Sequence, residues 1–414
     1  MADSARKPFF PRALTDRWDA ASDQFPVLAL AGPRQVGKTT LLDHIRGPER
    51  RIVSLDDPAR REEARRDPRG FLQRFPPPVL IDEVQYAPEL LPFIKIAVDE
   101  DRRPGAFWLT GSQQFQLMRG MSESLAGRVG IVRLLGFSWR ECDQRIAALP
   151  PFVPTREILD QREATAAVSS IEAAYARIWA GTMPALVTGQ VLDRDLFWSS
   201  YVQTYLERDV RDLAQVGDLA AFHRFLRACA ARTAQILNLS ELARDVDVSV
   251  PTARRWLSVL EASLQVFLLP PYFDNLTKRL VKRPKMYFLD TGLAAYLTGW
   301  SSPETLAAGA MSGPMLETFV VVEILKSWWN RMKEPALFYL RDKDAREVDL
   351  LIECDDLLHP VEVKRTASPQ PQWGRVMTPA GRVSKALGPG AVVCLAPARI
   401  GLAEGLEAVP VGLL

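Results

Sequence analysis

The chain is poor in the residues that announce a metal or redox centre. Its four cysteines, Cys142, Cys229, Cys354 and Cys394, lie far apart with no CxxC spacing, and its three histidines are scattered too. That excludes the ligand spacing of a structural zinc site and a disulfide framework, and the thiols read as buried groups of a reduced compartment. An excess of one charge is also missing: Lys+Arg (52) against Asp+Glu (50) leaves +2. No chain-wide field draws in nucleic acid or a membrane, so any basic surface must be local. No apolar run reaches the ~18–20 residues of a membrane helix. The stretch from Met1 to Trp18 mixes charges with prolines and lacks the apolar core of a secretory leader. A cytoplasmic protein with no membrane partner is expected. Low-complexity blocks and internal repeats are absent as well. What remains is an ordinary globular mixture, 47% hydrophobic and 25% charged, in 414 residues. That length exceeds one core and implies roughly two to three domains.

Residues 25 to 137 alternate short apolar runs with helical patterns, the signature of βαβ units around a parallel sheet. Buried strands are expected at Val27–Leu30, Arg51–Leu55, Val79–Ile81, Phe107–Thr110 and Gly130–Leu134, with helices at Thr39–Arg46 and Leu90–Asp101. From about Ser138 to Leu239 strand signals vanish and helical patterns such as Phe197–Leu213 and Leu219–Ile236 take over. Leu239 to Phe273 reads as a winged helix-turn-helix. Ser240 would cap its first helix, Val246–Ser249 make the turn, Val250–Ser263 form the second helix and Gln265–Leu269 one arm of a wing. Beyond about Lys285 the pattern returns to mixed α/β, with a helix at Phe319–Trp329 and strands at Leu337–Leu340, Val348–Ile352, Val361–Lys364 and Ala391–Leu395. The expected fold class is α/β multidomain. A P-loop parallel-sheet ATPase domain would span 1–137, a helical lid or connector 138–238, the winged helix-turn-helix 239–284 and a C-terminal α/β domain 285–414.

Gly32-Pro33-Arg34-Gln35-Val36-Gly37-Lys38-Thr39, followed by Thr40, sits between an expected strand and an expected helix. In that context G-x-x-x-x-G-K-[ST] is a phosphate cradle of backbone N–H groups at a helix N-terminus. Lys38 would reach the β- and γ-phosphates and Thr39 would ligate Mg²⁺. Val79-Leu80-Ile81 ends in Asp82 and Glu83, at the strand end where open α/β sheets bind ligands. Asp82 is the expected ligand of Mg²⁺ or of its water shell, and Glu83 the base that orients the attacking water. ATP and Mg²⁺ are the expected cofactors. The next strand ends at Thr110-Gly111-Ser112-Gln113, where Ser112 or Gln113 would sense the γ-phosphate. Arg128, in Ser124-Leu125-Ala126-Gly127-Arg128, has two readings: a γ-phosphate contact in cis, or a finger supplied to a neighbour in a homo-oligomer. Arg34, inside the loop, is a second candidate.

The loop GPRQVGKTT together with LIDEVQ, LTGSQ and SLAGR, in this order, resembles the bacterial and archaeal AAA-type ATPases related to the STAND NTPases. The resemblance extends to Gly181-Thr182-Met183-Pro184, where the family more often has Gly-Gly-Phe-Pro, to Tyr205–Val210 and to Tyr287–Leu293. It covers nearly the whole chain. It implies that a winged helix and a C-terminal nuclease-like domain, the domain of unknown function 4143, follow the ATPase.

Two further sites are expected. On the Val250–Ser263 helix, Thr252, Arg254 and Arg255 face outward while Ala253, Trp256, Leu257 and Leu260 are spaced for packing. The helix would either enter a DNA major groove, with Lys278, Arg279, Lys282, Arg283 and Lys285 on phosphates, or serve as a lid or coupler. In the last third, the period of two puts Glu362 and Lys364 on one strand face, Asp349 lies on the preceding strand and Glu317 on the helix before it. Asp349 and Glu362 would hold Mg²⁺ while Lys364 positions water. This set resembles the PD-(D/E)xK nuclease core and implies a restriction-endonuclease-like domain, either metal-competent or decayed to an interaction module. Two functions follow. One is Mg²⁺-dependent ATP hydrolysis coupled to the winged helix and nuclease-like domain, with DNA a candidate partner. The other is a non-catalytic STAND-like switch in which nucleotide state controls assembly or partner binding.

Overall fold

The computed structural model describes residues 9–111, 124–166, 170–206, 218–273, 283–341, 347–370, 372–373 and 385–414. Five strands, β1 (Val27–Ala31), β2 (Arg51–Ser54), β3 (Val79–Asp82), β4 (Phe107–Gly111) and β5 (Val129–Arg133), form a sheet in the order β2-β3-β4-β1-β5. All pairs are parallel, with Val27 level with Phe107 on one side and Val129 on the other. The runs of Val, Leu, Ile and Phe suit strands covered on both faces, and every residue of β1, β3 and β4 is buried. Because all strands share one direction, the segments after β1, β3 and β4 gather at one edge. Placing β4 between β1 and β3 sets Thr110 beside Asp82.

The 138–238 segment departs from its expected all-helical character, while the wing arm expected at Gln265–Leu269 is a strand. The Leu219–Ala230 helix stops six residues before Ile236, which lies instead in a two-residue strand, β6 (Gln235–Ile236). With β7 (Val266–Leu269) and β8 (Lys285–Phe288) it forms a small antiparallel sheet in the order β6-β8-β7. Two more helices, Leu239–Asp245 and Val250–Ala262, precede β7. The first is capped by Asn238, whose side chain accepts from the Glu241 amide, not by Ser240, which lies inside the first turn. Ser249 caps the second, with Pro251 in its first turn. Ala253, Trp256, Leu257 and Leu260 are buried, and Trp256 stands edge-on to Phe222 and Phe225 at 5.6 and 5.4 Å between ring centres. The expected boundary at 284 falls between two strands of this small sheet, so Lys285–Phe288 sits with the middle of the chain.

The last part pairs a long helix, Ser312–Trp329, with a larger sheet. That helix is buried almost all round, which explains its lack of a polar face. The sheet runs β14-β15-β13-β11-β10-β9, with β12 paired to β11. Its strands are β9 (Ala336–Arg341), β10 (Glu347–Cys354), β11 (Leu357–Lys364), β12 (Ala386–Leu387), β13 (Gly390–Cys394), β14 (Ile400–Ala403) and β15 (Leu406–Pro410). The neighbours β9, β10 and β11 are antiparallel, while β11, β13 and β15 are parallel. One continuous core runs from Leu14 through Trp256 and Leu325 to Leu414 and covers one face of the first sheet. A second core, with Val27, Ile81, Ile94 and Leu109, covers the other. Among the described residues no helix is long and apolar enough to cross a membrane.

Candidate functional site

At the C-terminal edge of the first sheet the chain leaves β1 through Gly32. A Cβ there would come 2.2 Å from the Leu134 carbonyl oxygen, so only glycine permits this close passage of the backbone. The loop closes at Gly37, whose φ of +87° is left-handed, and the Lys38–Ile45 helix begins immediately after it. Lys38 is 5% exposed, and its Nζ donates to the carbonyl oxygens of Gly32 (3.0 Å) and Pro33 (2.8 Å). The ammonium is thereby held within the loop. From β3, Asp82 accepts from Thr39 Oγ1 (2.7 Å), Ser54 Oγ (3.2 Å) and Thr110 Oγ1. Three hydroxyls from three elements thus orient one carboxylate. Glu83 follows with φ +55°, its amide on Thr110 Oγ1 at 3.2 Å and its Oε2 accepting from Gln85 Nε2. The cleft, about 560 Å³, is walled by the loop, Asp56 and Glu83 on one side. Phe9, Phe10 and Phe137 line it too, with Pro184 and Gln190 from the middle of the chain. Asp56, which sequence reasoning missed, lies two residues beyond β2. Burial, then the neighbouring Glu83 and Asp82, push its carboxyl above the usual range.

Arg128 lies elsewhere. It precedes Val129, the partner of Val27, at the end of the sheet opposite the loop. At ~3.3 Å per strand residue, the length of β1 separates it from the phosphate cradle. Its guanidinium grips Asp99, with Nε–Oδ1 at 2.6 Å and Nη2–Oδ2 at 2.9 Å. The expected cis contact is therefore not made: parallel register, invisible in a run of letters, assigns Arg128 to the wrong edge. Arg34 does line the cleft. Ser112, Gln113, Lys278, Arg279 and Lys282 lie outside the described residues. Arg254 and Arg255 are exposed and Thr252 half-buried, its hydroxyl 2.8 Å from Ser249 Oγ. Arg283 is exposed, and its carbonyl accepts from Tyr339 OH at 2.6 Å.

The second constellation does come together. Asp349 on β10 accepts the Val363 amide of β11 at 2.9 Å, and Lys364 Nζ donates to Glu362 Oε1 at 2.5 Å. Glu317, on the long helix, accepts from Tyr287 OH at 2.7 Å and from Lys285 Nζ at 2.9 Å. Lys285 also contacts Glu347 and stands 3.6 Å from Asp349. It was expected on DNA phosphates; it is instead 2% exposed and enclosed by carboxylates. Burial would lower its pKa, but Glu317, Asp349 and Glu347 outweigh that and raise it. Tyr287 also donates to Glu317 and the Val363 amide to Asp349. Burial, then Asp349, push Glu317 up to about 7, and the same causes push Glu362 up to about 7. Among the described residues no three carboxylates converge into a ready metal cage, so the expected Asp349–Glu362 metal centre is not preformed. The ammonium of Lys285 stands instead among Glu317, Glu347 and Asp349.

Two elements reach from one site to the other. β8 carries Lys285 and Tyr287, and just beyond it Asp290 accepts from Thr182 N (3.0 Å), Thr182 Oγ1 (2.9 Å) and Gly292 N (2.8 Å). Thr182 adjoins Met183 and Pro184, and Pro184 walls the cleft. Gly181, at φ +82°, has no room for a Cβ, which would meet Asp290 Oδ1 at 2.4 Å. The long helix carries Glu317 in its first half and, about two turns on, Glu323 and Lys326. These buried groups pair at 2.9 Å, and they bind Trp139 N (2.8 Å) and the Phe137 carbonyl (2.8 Å) beside the cleft. Sequence reasoning missed this pair. Its signal was two charges at i, i+3 within the apolar run Phe319–Trp329.

A parallel sheet with a phosphate loop after β1 and an acidic pair at the end of β3 defines an AAA-type P-loop ATPase domain. The chain matches the AAA domain family over residues 24–142, a domain of unknown function (DUF8612) over 171–304 and the domain of unknown function DUF4143 over 312–414. It is 31% identical over 372 residues to the uncharacterized protein Rv2008c of Mycobacterium tuberculosis, spanning 86% of this chain and 75% of that one. The uncharacterized protein Mb2031c of Mycobacterium bovis gives the same figures, 31% over 372 residues. In fold it is similar to the Walker-type ATPase Paby2304 of Pyrococcus abyssi, at 18% identity and a TM-score of 0.46, covering 72% of this chain and 98% of that one. The chain belongs to the family of AAA-type ATPases that carry a C-terminal domain of unknown function 4143.

Proposed function

We propose that this protein hydrolyses ATP with Mg²⁺ and uses the nucleotide state to reposition its middle region against the C-terminal sheet. The observation that carries the reading is the convergence of Lys38, the Thr39–Asp82 pair and Glu83 on one cleft. The donor set suits a hard divalent ion: a hydroxyl and a carboxylate held 2.7 Å apart, with Asp56 and Glu83 beside them. The chemistry Mg²⁺ supplies when bound is neutralisation of charge on the β- and γ-oxygens. The loop amides and Lys38 hold the phosphates, and Glu83 orients a water and accepts its proton as the γ-phosphate departs as inorganic phosphate. The Thr182–Asp290 contact supports transmission from the cleft to β8.

The 250–262 helix with its small sheet is read as a winged helix, with exposed Arg254 and Arg255 available to DNA phosphates or bases. Arg128 serves a neighbouring subunit in this reading if Asp99 releases it. The C-terminal Asp349, Glu362 and Lys364 have the residue types of a PD-(D/E)xK centre, and DNA cleavage is its expected chemistry if a metal gains entry. One observation favours the second reading, a slow nucleotide switch: Gln85 already holds the Glu83 carboxylate. Turnover and binding of ATP by Lys38→Ala test the leading reading. Loss of both is expected, and normal hydrolysis by that variant would overturn it.

A further inference from the structure

The C-terminal cluster holds more negative charge than its own cations balance. Glu317, Glu347, Asp349 and Glu362 face Lys285, Lys364 and, at 4.0 Å from Glu347, Arg341: four potential negative charges against three positive. Such an excess at buried positions is costly unless it is neutralised. A second observation concerns Glu362 itself. Glu362 is 6% exposed, and its Oε2 has no hydrogen-bond partner among the described residues. Protons or a divalent cation can fill that deficit.

The third feature is the origin of Lys285. It does not belong to the sheet that carries Asp349 and Glu362, but to β8 of the small sheet, level with Ile236 and Leu269. Its ammonium sits among Glu317, Glu347 and Asp349 and repels any cation approaching them. Asp290, beyond the far end of the same strand, is held by Thr182 next to the nucleotide cleft.

We propose that this cluster is a divalent-cation site closed by Lys285, whose ammonium competes with the metal ion for Glu317 and Asp349. The inference rests on reading the C-terminal centre as nuclease-like. It adds the residue that decides whether metal enters. With Lys285 in place its ammonium holds Glu317 and Asp349; with Lys285 withdrawn, these carboxylates and the free oxygen of Glu362 are released to a hard divalent ion.

The test is a titration of the nucleotide-free, full-length protein with Mn²⁺, followed by calorimetry or by the electron paramagnetic resonance of the free ion. Asp349→Asn in each background identifies the site. Lys285→Met is expected to bind Mn²⁺ at an Asp349-dependent site roughly tenfold or more tightly than wild type. Lys285→Arg, which keeps the charge, should bind no better than wild type. ATP-analogue binding and thermal unfolding report whether each variant folds. If Lys285→Met does not fold, Lys285→Gln, which can still donate to Glu317, carries the same expectation. Equal Asp349-dependent Mn²⁺ affinity in wild type and Lys285→Met would overturn the competition while leaving the metal-site reading standing. Absence of Asp349-dependent binding in every protein would overturn both and leave an ion-pair lattice only.

Discussion

Replacing Glu362 by Gln should change how stability depends on pH more than it changes stability itself. In the folded protein burial, then the charge of Asp349, push the Glu362 carboxyl up from 4.5 to about 7, against the opposing pull of Lys364. Glu317 is pushed to about 7 by the same causes. A carboxyl whose pKa is raised on folding takes up a proton when the chain folds. Its contribution is fully present below the unfolded value of about 4.5 and is lost as pH rises through about 7. The rise from 4.5 to about 7, at about 1.4 kcal/mol per tenfold change in proton affinity, amounts to on the order of 3 kcal/mol. Because Glu317, Asp349 and Glu362 interact, that figure is taken for the cluster as one titrating unit. Glu362→Gln keeps the shape of the neutral carboxyl at every pH. Wild type should therefore lose transition temperature between pH 5 and pH 8.5 while Glu362→Gln loses less. The two should be close at pH 5, with the variant the more stable at pH 8.5. A chain with several domains need not unfold in two states, so the difference between the two proteins at each pH is the quantity to read, by scanning calorimetry. Parallel curves, or a variant that is less stable at pH 8.5, would refute the reasoning.

Asp290→Ala removes the cap of the Thr291–Leu297 helix and two bonds from Thr182, which is 3% exposed. The loss should be on the order of 3–4 kcal/mol, whereas Thr182→Val should lose about 1; thermal unfolding of both within a degree of wild type would contradict a structural role for the Thr182–Asp290 contact. Arg128→Ala should leave ATP affinity unchanged, since its guanidinium pairs with Asp99 at the far end of the sheet. If turnover falls only at concentrations where the protein self-associates, the arginine acts in trans. If Arg254 and Arg255 meet DNA phosphates, the double Ala variant should flatten the dependence of log affinity on log salt by roughly two charges; identical slopes would remove this helix from the interface.

Much of the fold was legible because the chemistry was local. The five strands of the first sheet are short apolar runs, the inner three buried on both faces, and each lies within one residue of its expected span. The phosphate loop declared itself by two glycines whose roles are steric, a left-handed φ at Gly37 and a close passage at Gly32. Failures came where meaning depends on partners distant in sequence. Arg128 needed the register of β5 against β1. β6 is two residues long, too short for any periodicity. β14 lies on an edge and is mostly exposed, so it carries little apolar pattern. Lys285 looked like the end of a basic run, although Lys285 and Tyr287 share one face of β8 and are flanked by Met286 and Phe288. That alternation was the available sign that this lysine turns inward. Asp56 and the Glu323–Lys326 pair were visible only as ordinary charges until the fold brought them to the cleft and its flank.

The central claim is that Lys38, Thr39, Asp82 and Glu83 hold and hydrolyse ATP. The most direct measurement is the identity of the nucleotide that stays bound after wild type and Glu83→Gln are incubated with ATP and Mg²⁺ and passed through a desalting column. The account predicts ADP and released phosphate from wild type, and intact ATP retained by Glu83→Gln. Intact ATP released from both proteins, or ADP formed equally by both, would contradict it.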